Sequence, residues 1–298
     1  MSSRYWELCV PVPAGASEGL TNFVWELGAL GVVEEEEVSG EARLRAFFSG
    51  AADSEAITTG VDRYLDALQS LGFPRTGEPA VAVVAETDWA EAWRAHFAPL
   101  PLGRHLLVAP PWEIPPDADG RLVLTLEPGR AFGTGQHATT AGCLELLETI
   151  VDLARPAHAI DLGTGSGILA IAAARLGVPH VLAFDSDPDA VASARANVER
   201  NGLATRVTCA IADAATLQTT PAPLVLANLL AAGHRALAAR YARLVAAGGT
   251  LVAGGCLDAE AADVTATLAA HGFQHAARRS IDGWTTLAYE HAALRDRA

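Results

Sequence analysis

One run of residues restricts the fold of this chain more than any other. Ala159-Ile160-Asp161 ends an apolar strand pattern, Leu162-Gly163-Thr164-Gly165-Ser166-Gly167 follows, and Ile168 to Leu176 is an apolar helical stretch. A turn of alternating glycines between strand and helix lets the backbone reverse tightly and approach a ligand closely, because no Cβ stands in the way. The alternation continues downstream. Val181 to Phe184 reads as a strand ending at Asp185, and Asp189 to Asn201 as a helix. Val207 to Ile211, Leu224 to Ala227 and Thr250 to Ala253 read as further strands. Strands alternating with helices predict an α/β fold, a parallel sheet covered on both faces. Ligands of such sheets sit at the carboxyl ends of the strands.

The first part of the chain follows another rhythm. Tyr5 to Val10 reads as a strand, and a helix capped at Ser17 has a stripe of Leu20, Phe23, Val24 and Leu27. Gly31-Val32-Val33 and Arg43 to Phe48 are two more strands. A second helix runs from Ser54 or Glu55 to Leu71, and Pro79 to Ala85 is a fourth strand. The order β-α-β-β-α-β is that of a ferredoxin-like unit. Asp88 to Phe97 reads as a short helix with Trp89 and Trp93 on neighbouring turns, and a proline-rich stretch follows. The expected organisation is a small domain over 1–87, a linker helix and connecting segment over 88–117, and the parallel-sheet domain over 118–298.

Composition narrows the partners. The 298 residues carry a formal charge of −14, which disfavours direct binding to nucleic acid and attracts a basic partner, or serves only solubility. No apolar run approaches the roughly 20 residues that cross a bilayer, and the first residues lack a secretory layout. A cytoplasmic protein without membrane attachment is expected. Cys9, Cys143, Cys209 and Cys256 are too scattered for a zinc site or a disulfide framework.

The motifs at the strand ends suggest the ligand. The glycines run Gly163-x-Gly165-x-Gly167, and Ile168 stands where a dinucleotide fingerprint needs glycine. Asp161, just before the loop, would oppose a pyrophosphate but can accept from the ammonium of methionine. This favours S-adenosylmethionine (AdoMet) over a dinucleotide, with the first turn of the following helix offering N–H groups to a carboxylate. Asp185, about 20 residues past the loop, can accept from two ribose hydroxyls, whereas Asp187 suits a helix cap. The same acidic run lacks the glycine of a calcium loop, since Ala190 stands there. Asp213 can meet an adenine amino group or be a plain loop aspartate. Asn228 closes the apolar strand Leu226-Ala227; its amide oxygen can accept from a neutral amine and aim the nitrogen lone pair, or it is an ordinary turn residue. In the stretch Glu127 to Thr140, Phe132 can cover the cofactor and Thr140 can hydrogen-bond it. His137 is there either a base or a structural histidine.

These residues together resemble the PrmA family of bacterial ribosomal protein methyltransferases, which modify the stalk-base protein numbered eleven of the large subunit. The resemblance spans nearly the whole chain, from Trp6-x-Leu8 through Asp88-Trp89-Ala90, Pro128 to Thr140, Asp161 to Gly177, Asp185 to Pro188 and Ala227 to Leu230 to a final strand at Trp284. It implies a ferredoxin-like domain that grips the substrate protein, joined by a linker to a Rossmann-like, seven-stranded class I methyltransferase domain. It implies repeated methylation of lysine ε-amines and the N-terminal α-amine of a basic ribosomal protein caught free of RNA. It implies cofactor contacts at Thr140, Gly163, Asp185 and Asn228, while Phe132, Asp161 and Gly165 are cofactor-binding candidates from the residues themselves. The sequence departs from the family pattern at Gln136 and Ala138, at Ala232-Gly233-His234 and at Gly254-Gly255-Cys256. Other readings remain open: a lysine methyltransferase of another protein such as an electron-transfer flavoprotein subunit, a nicotinamide oxidoreductase opposed by Ile168, and a non-catalytic AdoMet sensor.

Overall fold

The computed structural model describes residues 5–12, 16–29, 31–36, 42–70, 73–84, 97–127 and 138–292. The chain divides between Ala98 and Pro99 into two compact units. The helix expected around Trp89 and Trp93, and the loop containing Phe132 and His137, lie outside the described residues.

The first unit comprises β1 (Tyr5–Val12), α1 (Ser17–Glu26), β2 (Gly31–Glu36), β3 (Ala42–Ser49), α2 (Ser54–Ser70) and β4 (Ala80–Val84). Its sheet has the order β2-β3-β1-β4, with every neighbouring pair antiparallel, which is the ferredoxin-like arrangement. The period of two in β1 turns Trp6, Leu8, Val10 and Val12 to one buried face. Leu20 and Val24 of α1 and Ile57, Val61 and Leu65 of α2 cover that face. The latter three recur every four residues, so they form one stripe along the helix.

The second unit is built on a seven-stranded sheet. Its strands are β8 (His158–Leu162), β9 (His180–Asp185), β10 (Val207–Ile211), β11 (Ala222–Asn228), β12 (Val245–Leu257), β13 (Phe273–Ile281) and β14 (Trp284–His291). The order is β10-β9-β8-β11-β12-β14-β13; the pairs from β10 to β12 are parallel, and β14 runs antiparallel between β12 and β13. Helices α3 (Ala138–Ala154), α4 (Ile168–Leu176) and α5 (Pro188–Arg200) supply the core on one face. Helices α6 (Ala231–Leu244) and α7 (Ala261–Ala269) supply it on the other. Strand β11 serves both, Leu224 and Leu226 facing the first core and Val225 and Ala227 the second. This double burial is why the strands read as continuous apolar runs. The chain leaves β8 toward β9 on one side and returns to β11 on the other. That reversal opens a crevice at the strand ends, where the loop after β8 lies.

Several elements differ from expectation. Strands β5 (Leu100–Leu102) and β6 (Leu106–Ala109) form within the stretch expected to be connecting segment, and β6 pairs with both β5 and β7 (Leu122–Thr125) in a three-stranded sheet. Thr139 and Thr140 belong to the first turn of α3 rather than to a loop. Strand β13 gave no alternation because most of its residues are exposed.

Asn197 of α5 and Asn201, which caps its C-terminus, tie the small sheet to the large one. The side chain of Asn201 accepts from Thr125 N at 3.0 Å and donates to Thr125 O at 2.7 Å, standing in for a missing strand partner. Asn197 donates to Ser166 O at 2.9 Å and accepts from Glu127 N at 3.1 Å, so the glycine loop and the end of β7 share one anchor. Replacing Asn201 by alanine leaves both backbone groups of buried Thr125 without partners. Asn201→Ala is expected to cost about 3 kcal/mol, seen as a lower urea midpoint with an unchanged slope. A loss below about 1 kcal/mol would show that water replaces the asparagine.

Candidate cofactor and active site

The glycine turn after β8 works because three positions adopt left-handed backbone: Gly163 at φ 69, Gly165 at φ 54 and Gly167 at φ 84. Space matters as well, since a Cβ on Gly163 would lie 2.7 Å from Leu229 Cδ2. The loop is stitched to the next strand. Gly163 N and Thr164 N both donate to Phe184 O, at 2.8 and 3.0 Å, and Gly165 N donates to Asp185 Oδ2 at 2.9 Å. The loop's own donors are thus largely engaged. The first turn of α4, at Ile168 and Leu169 on the cavity, adds N–H groups that have no partner within the helix.

A cavity of about 480 Å³ lies over this turn. Thr140, Gly163, Gly165, Asp185 and Asn228, all singled out in the sequence, line it together. Ile168, Leu169 and Ala190 make one wall apolar, and Asp213 stands at another side. Asp185 accepts from Gly165 N through one oxygen and from Asp187 N through the other, at 3.1 Å, so its carboxylate is held rigidly at the rim. Asp187 caps α5 by accepting from Asp189 N at 2.9 Å, with Pro188 in the first turn. Asp213 accepts from Ala215 N at 2.8 Å, as a turn aspartate does.

At the far end of the cavity stands Asn228. Its Nδ2 donates to Thr139 Oγ1 at 3.2 Å and to Thr140 Oγ1 at 3.3 Å. With both amide hydrogens directed at hydroxyls, Oδ1 is the group left to accept. It lies beside Gly254 and Gly255, which have no side chains to fill the space next to it. Thr139 is the partner that the sequence had not singled out; its place beside Thr140, at the end of the stretch Glu127 to Thr140, was the available signal.

Asp161 is set behind the loop rather than among the cavity-lining residues. It is buried, Thr164 Oγ1 donates to its Oδ2 at 2.6 Å, and Oδ1 meets no donor at hydrogen-bonding geometry. Burial pushes its pKa up to about 7, against the pull of the Thr164 hydroxyl and the Ala170 N–H and with a small addition from Asp185. A buried carboxyl with one idle oxygen suits a nearby cationic group, which would favour the ionised form.

This shift has a consequence for stability. The unfolded carboxyl ionises near 3.8 and the folded one near 7, so between these values the folded state keeps a proton that the unfolded chain has released. Stability from this group therefore falls as pH rises through that window. Asp161→Asn retains an acceptor for Thr164 and does not titrate. Relative to the natural chain, it is expected to gain on the order of 3 kcal/mol in urea unfolding between about pH 4 and about pH 8. A difference independent of pH would show that Asp161 ionises normally in the fold.

Comparison with known proteins places this geometry in a family. The family described as ribosomal protein L11 methyltransferase (PrmA) matches residues 4–292. The ribosomal protein L11 methyltransferase of Pelobacter propionicus is 37% identical, over 98% of this chain and 99% of its own length. That of Geobacter sulfurreducens is 38% identical, over 97% of this chain and 99% of its own. The crystal structure of the ribosomal protein L11 methylase from Lactobacillus delbrueckii subsp. bulgaricus is similar with a TM-score of 0.61 and 28% identity, covering 66% of this chain and all of that one. The glycine turn, the acid at the end of β9 and the asparagine at the end of β11 therefore sit in a chain that belongs to the ribosomal protein L11 methyltransferase family.

Proposed function

We propose that this chain transfers methyl groups from AdoMet to lysine ε-amines and the N-terminal α-amine of its ribosomal protein substrate, taken free of RNA in the cytoplasm. The observation that carries this reading is the arrangement at Asn228, an acceptor oxygen held by two threonine hydroxyls at the end of the cavity. The residues of the cavity fit AdoMet in character. Asp185 would accept from the ribose hydroxyls, Gly163 and Gly165 would let the backbone lie against the methionine part, and Thr140 and Asn228 would bound its methyl end. Asp161 would balance the ammonium from behind the loop. AdoMet supplies an activated methyl on a sulfonium, so the protein's work is positioning and desolvation.

An amine attacks only as the free base, and its reference pKa is about 10.4 for lysine and about 8 for an α-amine. Asn228 is not a base, so the proton leaves to water before transfer. Its Oδ1 would then accept one N–H of the neutral amine and turn the lone pair toward the methyl group. The acidic charge of −14 supports a basic substrate and disfavours RNA as the docking partner. The first unit, with its own core, is the part available to grip that protein.

Labelled AdoMet added to a lysate of cells lacking the modification should mark one large-subunit ribosomal protein. The isolated protein should be marked faster than intact ribosomes. Label on another protein alone would overturn the reading. Asp185→Ala is expected to weaken AdoMet binding about thirtyfold in calorimetry, since charge-assisted hydrogen bonds are lost. Unchanged affinity would refute the ribose assignment. Removing residues 1–98 should leave AdoMet affinity within about twofold and abolish methylation of the protein substrate, and retained activity would defeat the recognition role.

A further inference from the structure

Gly254 stands opposite Asn228 in the parallel pairing of β11 with β12. At that level β12 departs from regular pairing with β14, between Ala253 and Cys256. Gly255 adopts φ 85 there, and a side chain on it would run into the carbonyl of Leu229. Irregularities of this kind re-aim groups at the edge of a site. Here the carbonyl of Gly254 is turned toward the end of β11, where it accepts from Leu229 N at 3.0 Å.

The same carbonyl takes a second hydrogen bond, from His234 in the first turn of α6, whose Nε2 lies 2.7 Å away. His234 is fully buried, and its Nδ1 lies 2.9 Å from the hydroxyl of Tyr241. A carbonyl can only accept, so Nε2 carries the hydrogen and Tyr241 donates to the bare Nδ1 of a neutral ring. Burial, which holds the pKa of His234 below its ordinary 6.5, agrees with that form. Filling this volume would need only a leucine. A histidine with both nitrogens used fixes a direction as well, and the direction is toward the backbone that adjoins Asn228. His234 is fully buried and is not among the residues lining the cavity, so its effect on the site runs through the backbone it holds.

We infer that His234 is a positioning residue for methyl transfer: by tying the Gly254 carbonyl to α6, it sets the Asn228-Leu229 turn and thereby the place of Asn228 Oδ1. This rests on the reading of Asn228 as the amine acceptor. Small displacements of a group that aims a lone pair are costly to rate even where binding is preserved.

The test uses three variants of the full chain. His234→Gln keeps a donor where Nε2 stood, His234→Asn keeps polarity but is too short to reach Gly254, and His234→Leu keeps volume alone. The expected kcat on the free ribosomal protein falls about thirtyfold in the leucine and asparagine variants and stays within about threefold in the glutamine variant, with AdoMet KM changing less than about threefold. Amide exchange at Leu229 should quicken at least about tenfold, relative to α4, in the first two variants and not in the third. Unchanged kcat and exchange in His234→Leu, or equal losses in all three variants, would overturn the inference. Should the leucine variant not fold, the glutamine and asparagine pair decides, and equal kcat in the two would refute it. If the natural chain labels no ribosomal protein, the functional reading fails, while exchange at Leu229 still decides what His234 holds.

Discussion

The second unit depends on one backbone constraint, the passage from β8 into α4 through three left-handed glycines. That conformation lets the loop fold back so that Gly163 and Thr164 bond to the carbonyl of Phe184, and Gly165 to the carboxylate of Asp185. The loop and the end of β9 therefore form one body. Asp185 is not a free surface acid but a group whose direction the glycine turn sets. A side chain at Gly163 would also collide with Leu229, which follows Asn228. The turn thus meets both the acid that ends β9 and the leucine that follows the last residue of β11, and the cavity lies among them because the sheet reverses its order there.

Around that frame, polar side chains stand in for backbone partners that the irregular segments lack. Asn197 and Asn201 close the hydrogen bonds of β7 and the glycine loop. Thr139 and Thr140 take the amide hydrogens of Asn228, and His234 with Leu229 shares the Gly254 carbonyl. These groups are buried or nearly so, where an unpaired donor or acceptor is expensive. Pairing them makes the walls of the cavity rigid before any ligand enters, which suits a reaction whose demands are position and exclusion of water.

Much of this was legible beforehand where the signal is local. The βαββαβ rhythm of the first unit follows from alternation in β1 and from the stripe Ile57, Val61 and Leu65. Asp187 announces a cap through Pro188, and the turn glycines announce themselves by type. Strand β13 was not legible, because its exposed residues do not alternate. Strands β5 and β6 were hidden by neighbouring prolines that read as linker. Helix α3 has two threonines in its first turn and Gly142 just after, a poor helical start whose formation rests on packing against the sheet rather than on propensity.

The chain by itself determined the class of fold and the cofactor-like corner, because left-handed turns, strand-end acids and apolar periods are properties of neighbouring residues. It also determined family membership, through motifs dispersed along almost its whole length. Only the tertiary structure decided which of the marked residues meet. It set Asp161 behind the loop with one idle oxygen, joined Thr139 to Asn228 across 89 positions and brought His234 to Gly254 across 20. Such pairings come from the order in which strands pack. No local pattern encodes that order, because it minimises buried unpaired polar groups over the whole sheet at once.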